Sequence, residues 1–105
     1  MNPEIIKKIL KFTNERDWKQ FHSPENLAKS ISIEAGELLE CFQWSSKYNQ
    51  EETNEELADV VIYSILMAES INADIEEIII KKLEKNIKKY PVEKSRGNST
   101  KYDKL

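Results

Sequence analysis

The sequence has little of what a β-rich or disulfide-stabilised protein needs. Its 105 residues include only two glycines, three prolines and one cysteine. So few turn-forming residues leave little material for the many tight turns of an all-β fold. The single Cys41 excludes an internal disulfide and fits a reducing compartment. Because the only histidine, His22, is distant in sequence, we expect Cys41 to be a packed side chain rather than a nucleophile.

The sequence also lacks a long apolar run, a visible signal peptide and an excess of positive charge. No segment approaches the ~20 apolar residues of a membrane-spanning helix. The net charge is -3 and the pI about 5.3, so no general basic field exists to hold a nucleic-acid backbone. We therefore expect a cytoplasmic protein with neither a membrane nor a nucleic-acid partner. Lysines do cluster late in the chain, and they suit either a solvated helix face or a local contact with phosphate: Lys81, Lys82, Lys85, Lys88 and Lys89.

Helix-start signals and apolar periodicity predict two helices in the first half. Asn2 followed by Pro3 reads as an N-cap and a proline at the first helical position, and the apolar spacing continues to about Trp18. Ser23 followed by Pro24 repeats this design. The second helix should end near residues 45–46.

Two further helices are predicted in the second half. Thr53 and Glu56 can form a capping box that opens the third helix. Asp74 offers the N-cap of the fourth, which Pro91 should end. Residues 92–105 are polar and without a period, so we expect a tail. The prediction is a single all-α domain over residues 1–105, a four-helix bundle with a short C-terminal tail, whose small core is completed by oligomerisation.

Carboxylates on the second and third helices stand where apolar residues are expected. Glu34 continues the apolar stripe of the second helix, and Glu37 follows at i+3. Glu56 and Asp59 repeat this spacing on the third helix. If the helices are antiparallel neighbours, the two pairs can face each other, and ionised carboxylates brought together need a cation such as Mg²⁺. The spacing alone also suits ordinary surface charge.

Other readings of these residues differ in what they require. A di-iron bundle needs Glu-x-x-His pairs on two helices, which a chain with one histidine does not have. Aromatic residues near the acids, Trp18, Trp44 and Tyr63, suit either a core or interface role or the stacking of a base, with His22 as a hydrogen-bonding group. Without further context, Trp and Tyr residues are more often part of a core or an interface than of a base-binding site.

Several segments, taken together, resemble the MazG-like NTP pyrophosphohydrolases, in the branch that contains dCTP pyrophosphatase. The resemblance runs from about Phe12 to Tyr102. Its motifs are Glu15-Arg16-Asp17-Trp18, Gln20-Phe21-His22, Glu34-Ala35-Gly36-Glu37-Leu38, Phe42-Gln43-Trp44, Glu55-Glu56-Leu57-Ala58-Asp59, Lys85-Asn86, Tyr90-Pro91-Val92 and Lys94-Ser95-Arg96-Gly97.

The resemblance implies an enzyme that hydrolyses a nucleoside triphosphate to the monophosphate and pyrophosphate. It implies dCTP or modified deoxynucleotides as substrates in a nucleotide-pool cleaning role, with dUTP or broad dNTP activity as an alternative. If the acids are only solvated surface charge, the remaining alternative is a non-catalytic helical dimerisation module. The resemblance also implies a Mg²⁺ cofactor, for which Mn²⁺ can substitute, and a homotetramer built as a dimer of dimers.

The resemblance assigns roles to particular residues. The metal ligands are Glu34, Glu37, Glu56 and Asp59, and the catalytic acids are Glu37, by preference, and Glu34. The expected substrate-binding residues are Trp18, His22, Trp44 and Tyr63 for the base, and Lys82, Asn86, Tyr90 and Arg96 for the sugar and phosphates.

Overall fold

The computed structural model describes residues 1–99 and 102–104, and every regular element within them is helical. None of these helices has the length and apolar character needed to cross a bilayer. The all-α prediction is confirmed. The elements are α1 (Pro3–Glu15), a 3₁₀ turn (Trp18–Phe21), α2 (Pro24–Glu40), α3 (Gln50–Ser70), α4 (Ile75–Lys89), the short α5 (Val92–Ser95) and a second 3₁₀ turn (Tyr102–Lys104).

Three of the predicted helix starts are confirmed by their capping hydrogen bonds. The Asn2 side chain accepts from the backbone N–H of Glu4 at 2.9 Å. The Ser23 hydroxyl accepts from the N–H of Asn26 at 3.2 Å, and Asp74 caps α4 in the same manner. Each cap satisfies a backbone donor that the first helical turn leaves unpaired.

The first two helices end earlier than predicted. α1 ends at Glu15 rather than near Trp18, because Asp17 takes a left-handed backbone conformation with φ of 54° that a helix cannot contain. A 3₁₀ turn then carries Trp18 away from the α1 axis. α2 ends at Glu40, five to six residues before the predicted end at residues 45–46. Residues 41–49 therefore form the connector to α3.

The predicted start of α3 is wrong in detail. Asn49, not Thr53, caps α3, and its side chain accepts from the N–H of Glu52 at 3.0 Å. Thr53 consequently lies inside the helix. Part of the predicted tail is ordered as α5, where the N–H of Arg96 donates to the carbonyl of Val92. Three residues of that tail, Thr100, Lys101 and Leu105, lie outside the described residues.

The chain forms two compact units, residues 1–73 and 74–105. In the first unit, α2 and α3 pack along each other and α3 also contacts α1. Thr13 is buried there, and its hydroxyl donates a hydrogen bond to the carbonyl of Leu10 at 3.0 Å. The buried apolar core consists of Leu27, Ile65, Leu66 and Ala68. The second unit contains α4, α5 and the second 3₁₀ turn, and a row of apolar side chains on α4 is exposed: Ile78, Ile79, Ile80, Leu83 and Ile87.

Much apolar surface remains outside the small core of the first unit. An open groove of about 480 Å³ lies between α1 and α3. Its floor is apolar, and three of its residues, Met1, Ile5 and Val61, are among the exposed large hydrophobic side chains. We call this surface the α1–α3 groove; it is lined by Met1, Ile5, Lys8, Ile9, Ala58, Val61, Ile62 and Ile65.

Candidate active site

The packing of α2 against α3 brings the four predicted acids together. Glu34 lies six residues before the end of α2, and Glu56 lies six residues after the start of α3. Two helices joined by a short connector and in contact at these positions run antiparallel, so equal distances from the connector place residues side by side. The i, i+3 spacing then puts Glu37 and Asp59 on the same faces as their partners.

Three of the acids form a cluster with the dimensions of a cation site. Glu34, Glu56 and Asp59 each offer one carboxylate oxygen, and these oxygens lie within 4.8 Å of one another. Oxygens that share one Mg²⁺ lie at most twice the metal–oxygen distance apart, about 4.2 Å. Side-chain adjustments of a few tenths of an ångström are therefore enough for the three oxygens to contact one ion. All three side chains are half-buried.

The proximity of the acids changes their proton affinities. Burial, more than any other cause, raises the pKa of Glu34 from 4.5 to about 7, and a hydrogen bond with Glu37 and the charges of Glu37, Asp59 and Glu56 act in the same direction. The pKa of Glu56 is also raised, mainly by its hydrogen bond with Glu37 and then by burial. A hydrogen bond between two carboxyl groups requires a proton on one of them. Without a cation, the cluster therefore holds protons near neutral pH.

The cluster is short of positive partners and of hydrogen-bond donors. Oε2 of Glu34 and Oε2 of Glu56 are buried and accept no hydrogen bond. Within residues 1–99 and 102–104, none of the four acids forms a salt bridge. The hydroxyl of Thr53, one turn before Glu56, is likewise buried without a partner. Buried acceptors without donors are costly, and a divalent cation would satisfy them. The donor set of carboxylate oxygens suits a hard ion such as Mg²⁺.

An aromatic cavity adjoins the acids. It encloses about 420 Å³ between α1, the first 3₁₀ turn and α3, and its walls are largely apolar. Trp18, His22 and Tyr63 all line it, as the base-pocket prediction requires. Asp59 lines it as well, so the cavity opens beside the cluster. We call this space the aromatic cavity; the remaining lining residues are Lys8, Ile9, Phe12, Thr13, Ile62 and Leu66.

Phe12 and Lys8 belong to this cavity and were not predicted. The ring of Phe12 meets Trp18 edge-on, with centroids 5.5 Å apart and an interplanar angle of 82°. The guanidinium of Arg16 covers the Phe12 ring at 3.9 Å and donates to the Phe12 carbonyl at 3.0 Å. The i, i+4 spacing of Lys8 and Phe12 places both on one face of α1, and that spacing is the signal in the sequence.

One of the predicted base-binding residues is not part of the aromatic cavity. Trp44 lies in the connector between α2 and α3, is 88% exposed and does not line the aromatic cavity. The four residues predicted to bind the sugar and phosphates belong to the second unit: Lys82, Asn86, Tyr90 and Arg96. Asn86 is half-buried on α4, and its carbonyl accepts from the N–H of Tyr90, which caps that helix. Lys82 and Arg96 are exposed. The substrate-binding roles of Trp44 and of these four residues stay predictions.

Comparison with known proteins gives concordant results. The model of the MazG-like family matches residues 29–105. Mouse dCTP pyrophosphatase 1 is 39% identical over 104 residues, and human dCTP pyrophosphatase 1 is 36% identical over the same length. The alignments cover 90% of this chain but 61% of each mammalian protein, so the chain spans about three-fifths of the length of these relatives.

A solved structure resembles the fold as well as the sequence. A pyrophosphatase from Archaeoglobus fulgidus superimposes with a TM-score of 0.75 at 39% identity, over 84% of this chain and 90% of that one. The family match covers more than half of the chain, and its residues include the cluster acids of α2 and α3. The chain belongs to the MazG-like family.

Proposed function

We propose that this protein is a Mg²⁺-dependent pyrophosphohydrolase that converts a deoxynucleoside triphosphate, with dCTP or a modified deoxynucleotide preferred, to the monophosphate and pyrophosphate. The observation that carries the proposal is that the carboxylate cluster and the aromatic cavity share one residue, Asp59. A nucleotide with its base in that cavity has its phosphates beside the acids. The pyrophosphatase relatives support the same reaction.

The cluster acids divide into ligands and a base. Glu34, Glu56 and Asp59, whose oxygens converge within 4.8 Å, would hold the ion. Mg²⁺, or Mn²⁺ in its place, would supply positive charge against the phosphate oxygens and would make the attacking water easier to deprotonate. Glu37, the fourth predicted metal ligand, stands outside that three-oxygen group but contacts Glu34 and Glu56, and it remains a candidate ligand. We assign it as the general base that accepts the proton of the attacking water, with Glu34 as the second acid of the catalytic pair.

The aromatic cavity supplies binding and orientation. Trp18 and Tyr63 offer ring surfaces, and His22 offers one donor and one acceptor in its neutral form. Stacking of a base on an aromatic ring contributes about 1–3 kcal/mol and tolerates many bases. Discrimination between bases must then come from hydrogen bonds to the base edge. We retain four residues as candidates for binding the sugar and phosphates: Lys82, Asn86, Tyr90 and Arg96.

Product analysis tests this function. The protein is incubated with the common and several modified dNTPs, first with Mg²⁺ and then with a chelator, and the products are separated. We expect the deoxynucleoside monophosphate and pyrophosphate, and loss of both when Mg²⁺ is removed. Formation of the diphosphate and orthophosphate would make the reaction assignment wrong. No product and no stabilisation by Mg²⁺ would favour a non-catalytic helical module.

Substitution of the acids tests the assigned roles. We expect Glu37→Gln to lower kcat by about 100-fold or more, as loss of a general base does, and Asp59→Asn to remove most activity through loss of metal binding. Glu40→Gln is the control, because Glu40 is exposed on the same helix and lies outside the cluster. Near-wild-type turnover of either site variant at saturating Mg²⁺ would show that the residue has been assigned wrongly.

We also propose a single-domain protein of the cytoplasm that assembles as a homo-oligomer, with a tetramer built from two dimers as the preferred form. The exposed apolar residues of the α1–α3 groove and of α4 support assembly, since such patches are rarely left in contact with water. Light scattering with size separation tests the assembly. A stable, active monomer would contradict it.

A further inference from the structure

The walls of the aromatic cavity leave few groups free to read the edge of a base. Thr13 lines the cavity but donates its hydroxyl to the carbonyls of Ile9 and Leu10. Asp59 directs an oxygen towards Glu34 and Glu56. The side chains that remain available are His22, the indole N–H of Trp18, the hydroxyl of Tyr63 and Lys8. Of these, only the lysine ammonium offers three donors on a flexible stem.

Lys8 differs from the other lysines of its helix. α1 carries Lys7, Lys8 and Lys11. Lys7 pairs with Glu4 and Lys11 with Glu15, each at 3.7 Å. Lys8 forms no salt bridge within the described part of the chain, although Asp59 lines the same cavity. Its ammonium group is thus available to a ligand, whereas those of its neighbours are engaged on the surface of the helix.

The position of Lys8 suits a reach into the cavity. Its side chain lines both the aromatic cavity and the α1–α3 groove, so it lies on the ridge that separates these two apolar surfaces. A lysine in such a place packs its methylene stem against apolar side chains and keeps its ammonium at the rim. Phe12, one turn later on α1, forms part of the same wall. From that rim, the ammonium is within reach of a ligand that stacks in the cavity.

The chemistry of an ammonium group limits what it can recognise. It carries three donors and no acceptor, so it binds only acceptors, and a carbonyl oxygen is a stronger one than an aromatic ring nitrogen. Cytosine, uracil, thymine and guanine each carry a ring carbonyl. Adenine carries none, and it presents its amine as a further donor. We propose that Lys8 is a specificity-determining residue that donates to a ring carbonyl of the base and so selects against adenine; this rests on the proposed nucleotide site.

Kinetics on matched variants test this role. Lys8→Met keeps the length of the stem and removes the charge, Lys8→Arg keeps the charge, and Lys11→Met is the control on the same helix. We expect Lys8→Met to lower kcat/KM for dCTP by about tenfold through KM, with less than about a twofold change for dATP, as for loss of one charge-assisted hydrogen bond. Lys8→Arg should retain most of the preference, and Lys11→Met all of it.

Binding of nucleosides separates this inference from the proposed reaction. Deoxycytidine and deoxyadenosine carry no phosphate, and their affinity is measured by NMR titration in chelator, where neither metal nor hydrolysis contributes. We expect Lys8→Met to weaken deoxycytidine binding and to spare deoxyadenosine. This pattern would support the role of Lys8 even if the wild-type protein hydrolysed no dNTP. An equal loss of kcat/KM for all triphosphates, with unchanged nucleoside binding, would assign Lys8 to a phosphate contact and overturn the inference. An unchanged ratio of kcat/KM between dCTP and dATP in Lys8→Met would also overturn it.

Discussion

Metal binding should depend steeply on pH, because the cluster holds protons when no cation is present. The pKa of Glu34 is raised to about 7, chiefly by burial. A carboxyl group must lose its proton before it can coordinate an ion, so the proton and the metal compete for the same oxygen. The perturbation is a change of pH from 6 to 8 in the metal-free protein, followed by titration with Mg²⁺.

The expected size of the effect follows from the pKa. A group with a pKa of about 7 is about 9% ionised at pH 6 and about 91% ionised at pH 8. If Glu34 is the ligand that titrates in this window, the apparent association constant for Mg²⁺ should rise about tenfold between these two values. At pH 7, binding should release about half a proton from Glu34, and any proton held by Glu56 adds to that number.

Calorimetric titration in buffers of different ionisation enthalpy measures both quantities. Glu40→Gln should keep the full pH dependence, because this exposed residue lies outside the cluster. Glu34→Gln should bind Mg²⁺ more weakly, with a smaller change between pH 6 and pH 8. Equal affinities for Mg²⁺ at the two values in the wild-type protein, without release of protons, would refute the reasoning.

The same pKa predicts the sign of the stability change in the metal-free protein. Between about pH 4.5 and 7 the folded chain holds a proton on Glu34 that the unfolded chain has lost. The free energy of unfolding should therefore fall as the pH rises through this window. Saturating Mg²⁺ should counter the fall, since the ion stabilises the ionised carboxylates. Thermal unfolding with and without Mg²⁺ at several pH values checks the sign.

Three further predictions concern stability and binding. Leu27→Ala should lower the free energy of unfolding by about 2–5 kcal/mol, because Leu27 is 1% exposed and its loss leaves a cavity in the core; a loss below about 1 kcal/mol in chemical denaturation would place Leu27 outside the core. Asn49→Ala should cost about 1 kcal/mol through loss of the α3 cap, whereas Asn49→Asp, which keeps an acceptor, should cost much less. Trp18→Ala should raise KM for all nucleotides together by about tenfold or more, since stacking is insensitive to the base; a selective effect on one base would show that Trp18 reads the base edge.

The start of a helix could be predicted where one N-cap residue was clearly favoured by the residues that follow it. Asn2 and Ser23 are each followed by a proline at the first helical position, Asp74 is followed by Glu77 at the capping-box spacing, and all three cap their helices. At the start of α3, Asn49 and Thr53 are both acceptable caps only one turn apart, and intrinsic preference does not separate them. The longer helix that begins after Asn49 carries more backbone hydrogen bonds, and that is the one formed.

The site could be predicted as far as periodicity reaches. The i, i+3 spacing predicted that the two acidic pairs can face each other on antiparallel helices, and the structure brings Glu34, Glu56 and Asp59 together. The same spacing also suited ordinary surface charge, so the packing of α2 against α3 was needed to decide. The helix was predicted to continue to about Trp18, and the position of Trp18 beside the acids depends on the end of α1 at Glu15 and on the left-handed conformation of Asp17, which has no periodic signal. Trp44 was predicted inside the second helix, two turns beyond Glu37. Because α2 ends at Glu40, Trp44 lies in the connector, where helical spacing no longer applies.

The different positions of the two tryptophans give the protein an optical reporter of its own. Trp44 is 88% exposed, whereas Trp18 lines the aromatic cavity with its ring against Phe12. The indole of Trp44 should therefore emit at longer wavelength and be quenched freely by acrylamide. These are the only two tryptophans of the chain. A Trp44→Phe protein would thus fluoresce from Trp18 alone, and the occupancy of the cavity could be followed continuously without a label.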